Sequence, residues 1–177
     1  MIREETIKYK SWSNLRKQMN DLLCNSLKDK ITYFFTTYYG GRRTYGKATI
    51  NYNKKEVVAF SWDAEYSQWD DEYKNLLLED LQGLENQISI EEKLMKDKWM
   101  PGCKLCDEDF INAITVYLNT DIATSLYSDN YLLRVFAYMD RRVGKRTLVK
   151  IKDEVETLPE WVKQFYNIRC EAEKIEF

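Results

Sequence analysis

The stretch that most limits what this chain can fold into runs from 31 to 62, where β-branched and aromatic residues gather in three runs separated by short turn signals. The first run is Ile31-Thr32-Tyr33-Phe34-Phe35-Thr36-Thr37-Tyr38-Tyr39. Such side chains lose rotamer freedom in a helix and pack well on a pleated surface, so the run reads as a strand. Gly40-Gly41-Arg42-Arg43 punctuates it as a loop. A second strand follows over 44–52, with Ala48, Ile50 and Tyr52 alternating onto one face. Asn53-Lys54 is a turn signal, and a third strand over 56–62 carries Val57-Val58-Ala59-Phe60. Strands joined by turns this short run antiparallel, which gives a three-stranded meander. Such a sheet needs cover on one face, and helices from the rest of the chain must supply it.

The rest of the chain reads as helical. A first helix starts at Ser11 or Ser13, either of which can cap it, and Leu15, Met19, Leu22 and Leu23 fall on one side. A helical pattern over 66–99 carries Leu76, Leu77, Leu81 and Leu84. It has a break at Gly83, a capping box at Ser89-Ile90-Glu91-Glu92 and a stop at Pro101-Gly102. Asp107 caps a helix with Phe110, Ile114 and Tyr117 on one side. A short helix covers 121–126, and Asp129 or Asn130 starts another with Leu132, Leu133 and Phe136 inward. Val143-Gly144 interrupts, a helix over 145–156 aligns Leu148, Ile151 and Val155, and Pro159 suits the first position of a last helix bearing Trp161, Phe165, Ile168 and Ala172. The predicted architecture is α+β: an N-terminal helix, a three-stranded antiparallel β-meander, and a mostly helical C-terminal half. All of it is expected to form one domain over 1–177, in which helix plus meander (1–62) and the helical part (63–177) share a core.

Several chemistries fall away on composition. Histidine is absent from the 177 residues, which removes the commonest general base and metal ligand and rules out Ser-His-Asp and Cys-His catalysis within the chain. The net charge is −2 and the pI about 5.4, so nucleic-acid binding would have to rest on a local patch. No apolar run approaches a membrane span, and the charged start Met1-Ile2-Arg3-Glu4-Glu5 does not resemble a signal peptide. The expected setting is cytoplasmic, with Cys24, Cys103, Cys106 and Cys170 as reduced thiols.

Cys103-Lys104-Leu105-Cys106 is the sharpest local pattern. A redox role would need a thioredoxin-like strand–helix setting that is missing, and a zinc ribbon would need a second CxxC. Asp63 followed by Glu72-Tyr73-Lys74 loosely matches the carboxylates and lysine of a metal-dependent nuclease, but that geometry wants a strand where the pattern is helical. Asp107-Glu108-Asp109 suits the charge preference of a helix start. Gly144-Lys145-Arg146-Thr147 lacks the glycine-rich approach and preceding strand of a phosphate loop. No catalytic residue, metal site or cofactor is therefore assigned.

One segment keeps functional interest. Asp140-Arg141-Arg142-Val143-Gly144-Lys145-Arg146-Thr147 gathers Arg141, Arg142, Lys145 and Arg146 at a junction between helices. Three readings stand side by side: Asp140 pairs with one arginine and the rest solvate the turn; arginine forks read an acidic protein partner; or the cations hold phosphate or nucleic acid. Arg42 and Arg43 would join the patch if the fold brings the strand loop near.

Trp12-Ser13-Asn14-Leu15-Arg16-Lys17-Gln18, Asp140-Arg141-Arg142-Val143-Gly144-Lys145-Arg146-Thr147-Leu148, and Pro159-Glu160-Trp161-Val162-Lys163-Gln164-Phe165-Tyr166 with Arg169-Cys170-Glu171-Ala172-Glu173 resemble the pattern of a family of small, uncharacterised conserved bacterial proteins. The resemblance implies one full-length domain and brings no activity or catalytic residue. The expected function is a non-enzymatic protein-interaction module, in the style of immunity or antitoxin proteins. The alternatives are nucleic-acid binding through the basic turn 141–146, and a metal-dependent nuclease or thiol enzyme.

Overall fold

The computed structural model describes residues 11–40, 43–61 and 107–175. The elements run α1 (Trp12–Leu22), β1 (Ile31–Gly40), β2 (Arg43–Tyr52), β3 (Lys55–Ser61), α2 (Asp107–Leu118), α3 (Ile122–Leu126), α4 (Tyr131–Met139), α5 (Lys145–Lys150), α6 (Lys152–Val155) and α7 (Glu160–Glu173). This is the expected α+β order. The helical pattern of 66–99, the capping box, the CxxC pair and the Asp63, Glu72 and Lys74 set lie outside the described residues.

The sheet has the order β1-β2-β3 with both pairings antiparallel. Asn53 and Lys54 take positive φ values of 50° and 65°, the left-handed pair that lets a two-residue hairpin follow the twist of its strands. Strand pairing reaches Gly40 opposite Arg43, so the first hairpin is tighter than the four-residue loop read from the sequence. Registration stacks Tyr33, Ile50 and Val58 in one row and Phe35, Ala48 and Phe60 in the next. Ala48, Ile50 and Phe60 are fully buried, whereas Phe34, one residue off this phase, stands exposed on the outer face.

The inner face of the sheet meets α1, α2, α4 and α7 through aromatic rings. Trp12 lies 5.6 Å from Phe35, Phe60 stacks on Phe110 at 5.3 Å, Tyr33 meets Phe136 edge-on at 6.1 Å, and Phe60 meets Trp161 at 6.4 Å, centroid to centroid. Offset and edge-on pairs of this kind contribute about 0.5–1.5 kcal/mol each beyond the area they bury. Every residue of α4 from Leu132 to Met139 is buried, which makes it the central helix. Its entry is capped by the Asn130 side chain, which accepts from Leu132 N at 3.0 Å. Arg134 is the charged residue within α4; its Nη1 meets Glu154 Oε1 at 2.6 Å and its Nε donates to the Ser128 carbonyl at 2.5 Å.

One helix predicted as continuous is divided. The stretch 145–156 forms α5 and α6 with Ile151 between them at φ −90°, ψ 2°. The Tyr166 hydroxyl donates to the Leu148 carbonyl at 2.8 Å, the acceptor that a continuous helix would offer to Lys152. Leu148, Ile151 and Val155 are nevertheless all buried, as their spacing requires. Pro159 sits one position earlier than expected, as the N-cap of α7. No helix of the described residues is long and apolar enough to cross a membrane.

Candidate functional site

The chain between α4 and α5 is where the polar chemistry of the described residues gathers. Its backbone is fixed from the other end of the sequence: Leu23 and Asp140 form an isolated antiparallel bridge. Cys24 N donates to the Met139 carbonyl at 3.0 Å, and Arg141 N donates to the Leu22 carbonyl at 2.8 Å. The segment leaving α1 is thereby bonded edge-on to the basic turn.

On one side of the turn lies Asp140, 1% exposed. Its Oδ2 accepts from the Tyr117 hydroxyl at 2.6 Å, and its Oδ1 accepts from the Arg142 backbone N at 2.7 Å. The Arg142 guanidinium adds Nε to Oδ1 at 3.0 Å and Nη2 to Oδ2 at 2.7 Å, a two-pronged contact that matches carboxylate geometry. The Arg142 Cζ stands 5.9 Å from the centre of the Tyr117 ring. The Asp140 contact holds the Arg142 guanidinium protonated, well above its ordinary value. Burial, reinforced by the Asp140 hydrogen bond, pushes the Tyr117 hydroxyl up and keeps it neutral. Asp140 therefore pairs with one arginine, and that arginine is Arg142.

On the other side is a cleft of about 520 Å³ lined by Cys24, Asn25, Ser26, Arg141, Val143, Gly144, Lys145, Arg169 and Glu173. Arg169 is 3% exposed. Its Nη1 faces the Met139 and Asp140 carbonyls, both at 3.3 Å, and its Nη2 donates to the Val143 carbonyl at 2.9 Å. It thus holds the turn from beneath by carbonyls alone. Glu173 accepts from the Ser26 hydroxyl at 2.8 Å, lies 3.7 Å from Arg169 Nη2, and has the Lys145 Nζ 3.6 Å from its second oxygen. Lys145 Nζ also donates to the Glu173 carbonyl at 2.7 Å, one of the orphan acceptors at the end of α7, where a cation also complements the helix dipole. Burial on its own would raise the Glu173 carboxyl. The Ser26 hydrogen bond, Arg169 and Lys145 together outweigh that and hold it below the ordinary glutamate value. Cys24 Sγ lies 3.1 Å from Ser26 Oγ. Since Ser26 gives its one hydrogen to Glu173, the thiol is the donor in that pair.

The candidates from the sequence thus part ways. Arg142 is bound to Asp140, and Lys145 to the end of α7. Arg141 and Arg146 are exposed, with side chains that meet no partner among the described residues. Arg43 opens β2 at the far end of a ten-residue strand pair from Ile31. That is about 30 Å of strand from the end that adjoins the turn. Its side chain and all of Arg42 lie outside the described residues. Arg169, Glu173, Ser26 and Cys24 complete the cleft without having been singled out as a site. Arg169 did leave a signal: it falls seven residues after Val162 and four after Phe165, on the buried side of α7, where a charge must have partners. Cys24 and Cys170 are buried free thiols. Burial pushes the Cys170 thiol up, away from the reactive thiolate. No group of three or more metal-ligating side chains occurs among the described residues.

Fold and site together describe a small α+β protein whose basic turn is braced by segments from both ends of the chain. It belongs to the SF0329 protein family, an uncharacterised family whose model matches residues 11–170. That span takes in most of the segments on which the family resemblance rests. No curated protein and no solved structure matches the chain.

Proposed function

We propose that this protein is a non-enzymatic interaction module that docks an acidic protein segment on the outer face of α5 and the adjoining turn. The observation that carries this reading is the division of labour among the cations. Arg142 and Arg169 have internal partners, whereas Arg141, Arg146 and Lys150 are exposed with none among the described residues. Arg146, Val149 and Lys150 occupy positions i, i+3 and i+4 of α5 and so share one face, and Val149 at its centre is 48% exposed. An apolar side chain ringed by basic groups suits a partner that presents carboxylates around an apolar residue, since charge complementarity sets both encounter and register.

The test is native co-purification with identification of what is retained, repeated with the Arg146→Glu, Lys150→Glu double variant. A defined protein with an acidic contact segment should be retained by the wild type and lost from the variant, while the variant keeps the wild-type circular dichroism. Retention unchanged by the charge reversal would refute the docking face. Retention of nucleic acid instead, with affinity falling steeply with salt, would replace this reading with the nucleic-acid one.

A further inference from the structure

We propose that the cleft behind the basic turn is a binding site for a small ligand bearing an oxyanion, a phosphate or a carboxylate, seated between Arg169, Lys145 and Arg141. The volume of about 520 Å³ lies within the range of small-molecule sites, roughly 300–1,000 Å³. Its lining carries three cations against one carboxylate, Glu173, so an anion entering it meets net positive charge.

The more telling observation is at the floor. Arg169 is almost wholly buried, and its Nε has no hydrogen-bond partner among the described residues. A buried donor of a charged group left unpaired forfeits its hydration with nothing in return. Among the described residues the only other such side-chain atom is the Ser125 hydroxyl, on α3. The other two guanidinium nitrogens are held by the carbonyls of residues 139, 140 and 143, so the group cannot turn to find a partner without releasing the turn. Arg169 lines the cleft, and its unpaired, buried Nε leaves the guanidinium charge incompletely satisfied from within, so an oxyanion seated beside it would meet that charge.

The remaining donors are placed to complete it. Lys145 has three N–H groups and gives one to the Glu173 carbonyl. Arg141 is exposed at the rim with its guanidinium uncommitted among the described residues. Gly144 leaves the cleft wall open, since a Cβ there would meet nothing within 4 Å. Arg146, Val149 and Lys150 of the α5 face do not line this site, and of the cations in the docking proposal it shares Arg141. The α5 double variant and Lys145→Met therefore test the two proposals separately.

The experiment follows the Arg169 Nε–H resonance in ¹⁵N-labelled full-length protein during titration with inorganic phosphate and, separately, acetate, against sodium chloride at matched ionic strength. A saturable shift with phosphate, acetate or both, absent with chloride, is expected, and the stronger ion identifies the oxyanion. Lys145→Met should weaken that binding by about tenfold, the loss of one charge-assisted contact. Arg141→Ser should weaken it less, and Arg146→Glu with Lys150→Glu should leave it unchanged. The proposal is overturned if the resonance stays in place with both ions, if chloride moves it equally, or if the shift persists undiminished in Lys145→Met. The backbone amide spectrum of each variant reports that the fold is intact.

Discussion

The two polar clusters that flank the turn at 140–144 are built from similar parts and finished to different degrees. In the Tyr117–Asp140–Arg142 cluster the carboxylate is fully buried and both its oxygens are bonded. A hydroxyl, a backbone N–H and two guanidinium nitrogens converge on it, and none of its buried atoms is left over. In the Ser26–Glu173–Arg169–Lys145 cluster the carboxylate is partly exposed, the ion pairs are longer at 3.6 and 3.7 Å, and one buried guanidinium nitrogen has no partner among the described residues. The first arrangement fixes shape. The second leaves a donor unpaired beside an open volume. Neighbouring arginines of one sequence, Arg141 and Arg142, fall on different sides of this divide because only the second has its backbone N–H on Asp140.

If the closed cluster is structural, Asp140→Ala should have the largest effect on stability. It strands the Tyr117 hydroxyl and removes the partner of Arg142. Breaking a buried pair costs about 3–5 kcal/mol, but the Arg142 side chain is 40% exposed and can regain water, which places the expected loss at about 2–3 kcal/mol. Urea denaturation measures it, and a loss under 1 kcal/mol would break the comparison. The open cluster should respond less and show a pH signature. The folded-state value of Glu173 lies below its ordinary one, so folding favours the charged carboxylate. Its contribution is fully present above the ordinary glutamate range and fades as the pH falls through the lowered folded value. Glu173→Gln should therefore cost about 1 kcal/mol at neutral pH and flatten the acid limb of the stability profile, as followed by denaturation from pH 7 downward. An unchanged acid limb would assign that limb to other carboxylates. The smallest effect belongs to Arg146→Glu with Lys150→Glu, exposed residues outside both clusters, expected to stay within about 0.5 kcal/mol of wild type. A larger loss would mean the α5 face already has an internal role.

Much of this fold can be read locally, and the reasons are visible at particular residues. The alternation that puts Ala48, Ile50 and Phe60 on one face survives because a sheet with one covered face enforces a period of two. Leu15 and Met19, or Leu132, Leu133 and Phe136, are buried as helical spacing requires. The break at Ile151 escaped the reading because its cause, the Tyr166 hydroxyl on the Leu148 carbonyl, comes from another helix. The cleft escaped for the same reason on a larger scale. Its lining arrives from residues 24–26, 141–145 and 169–173, and only the middle set forms a cluster in sequence. Even there, four neighbouring cations look alike until Asp140 and the end of α7 claim two of them. The pairing of Asp140 with Arg142 was the most accessible part, since an Asp accepting from the N–H two residues on is a local turn device.

The hydrogen bond from Ser26 to Glu173 joins residues 147 positions apart in the chain, and the bridge between Leu23 and Asp140 closes a loop almost as long. Contacts at such separation cost chain entropy before they return anything. During synthesis the cleft cannot exist until α7 has been made and has docked beside the segment leaving α1, long after the sheet can pair. The site is therefore a late product of folding, and a chain interrupted after β3 and before α7 would carry a helix and hairpins without carrying the cleft.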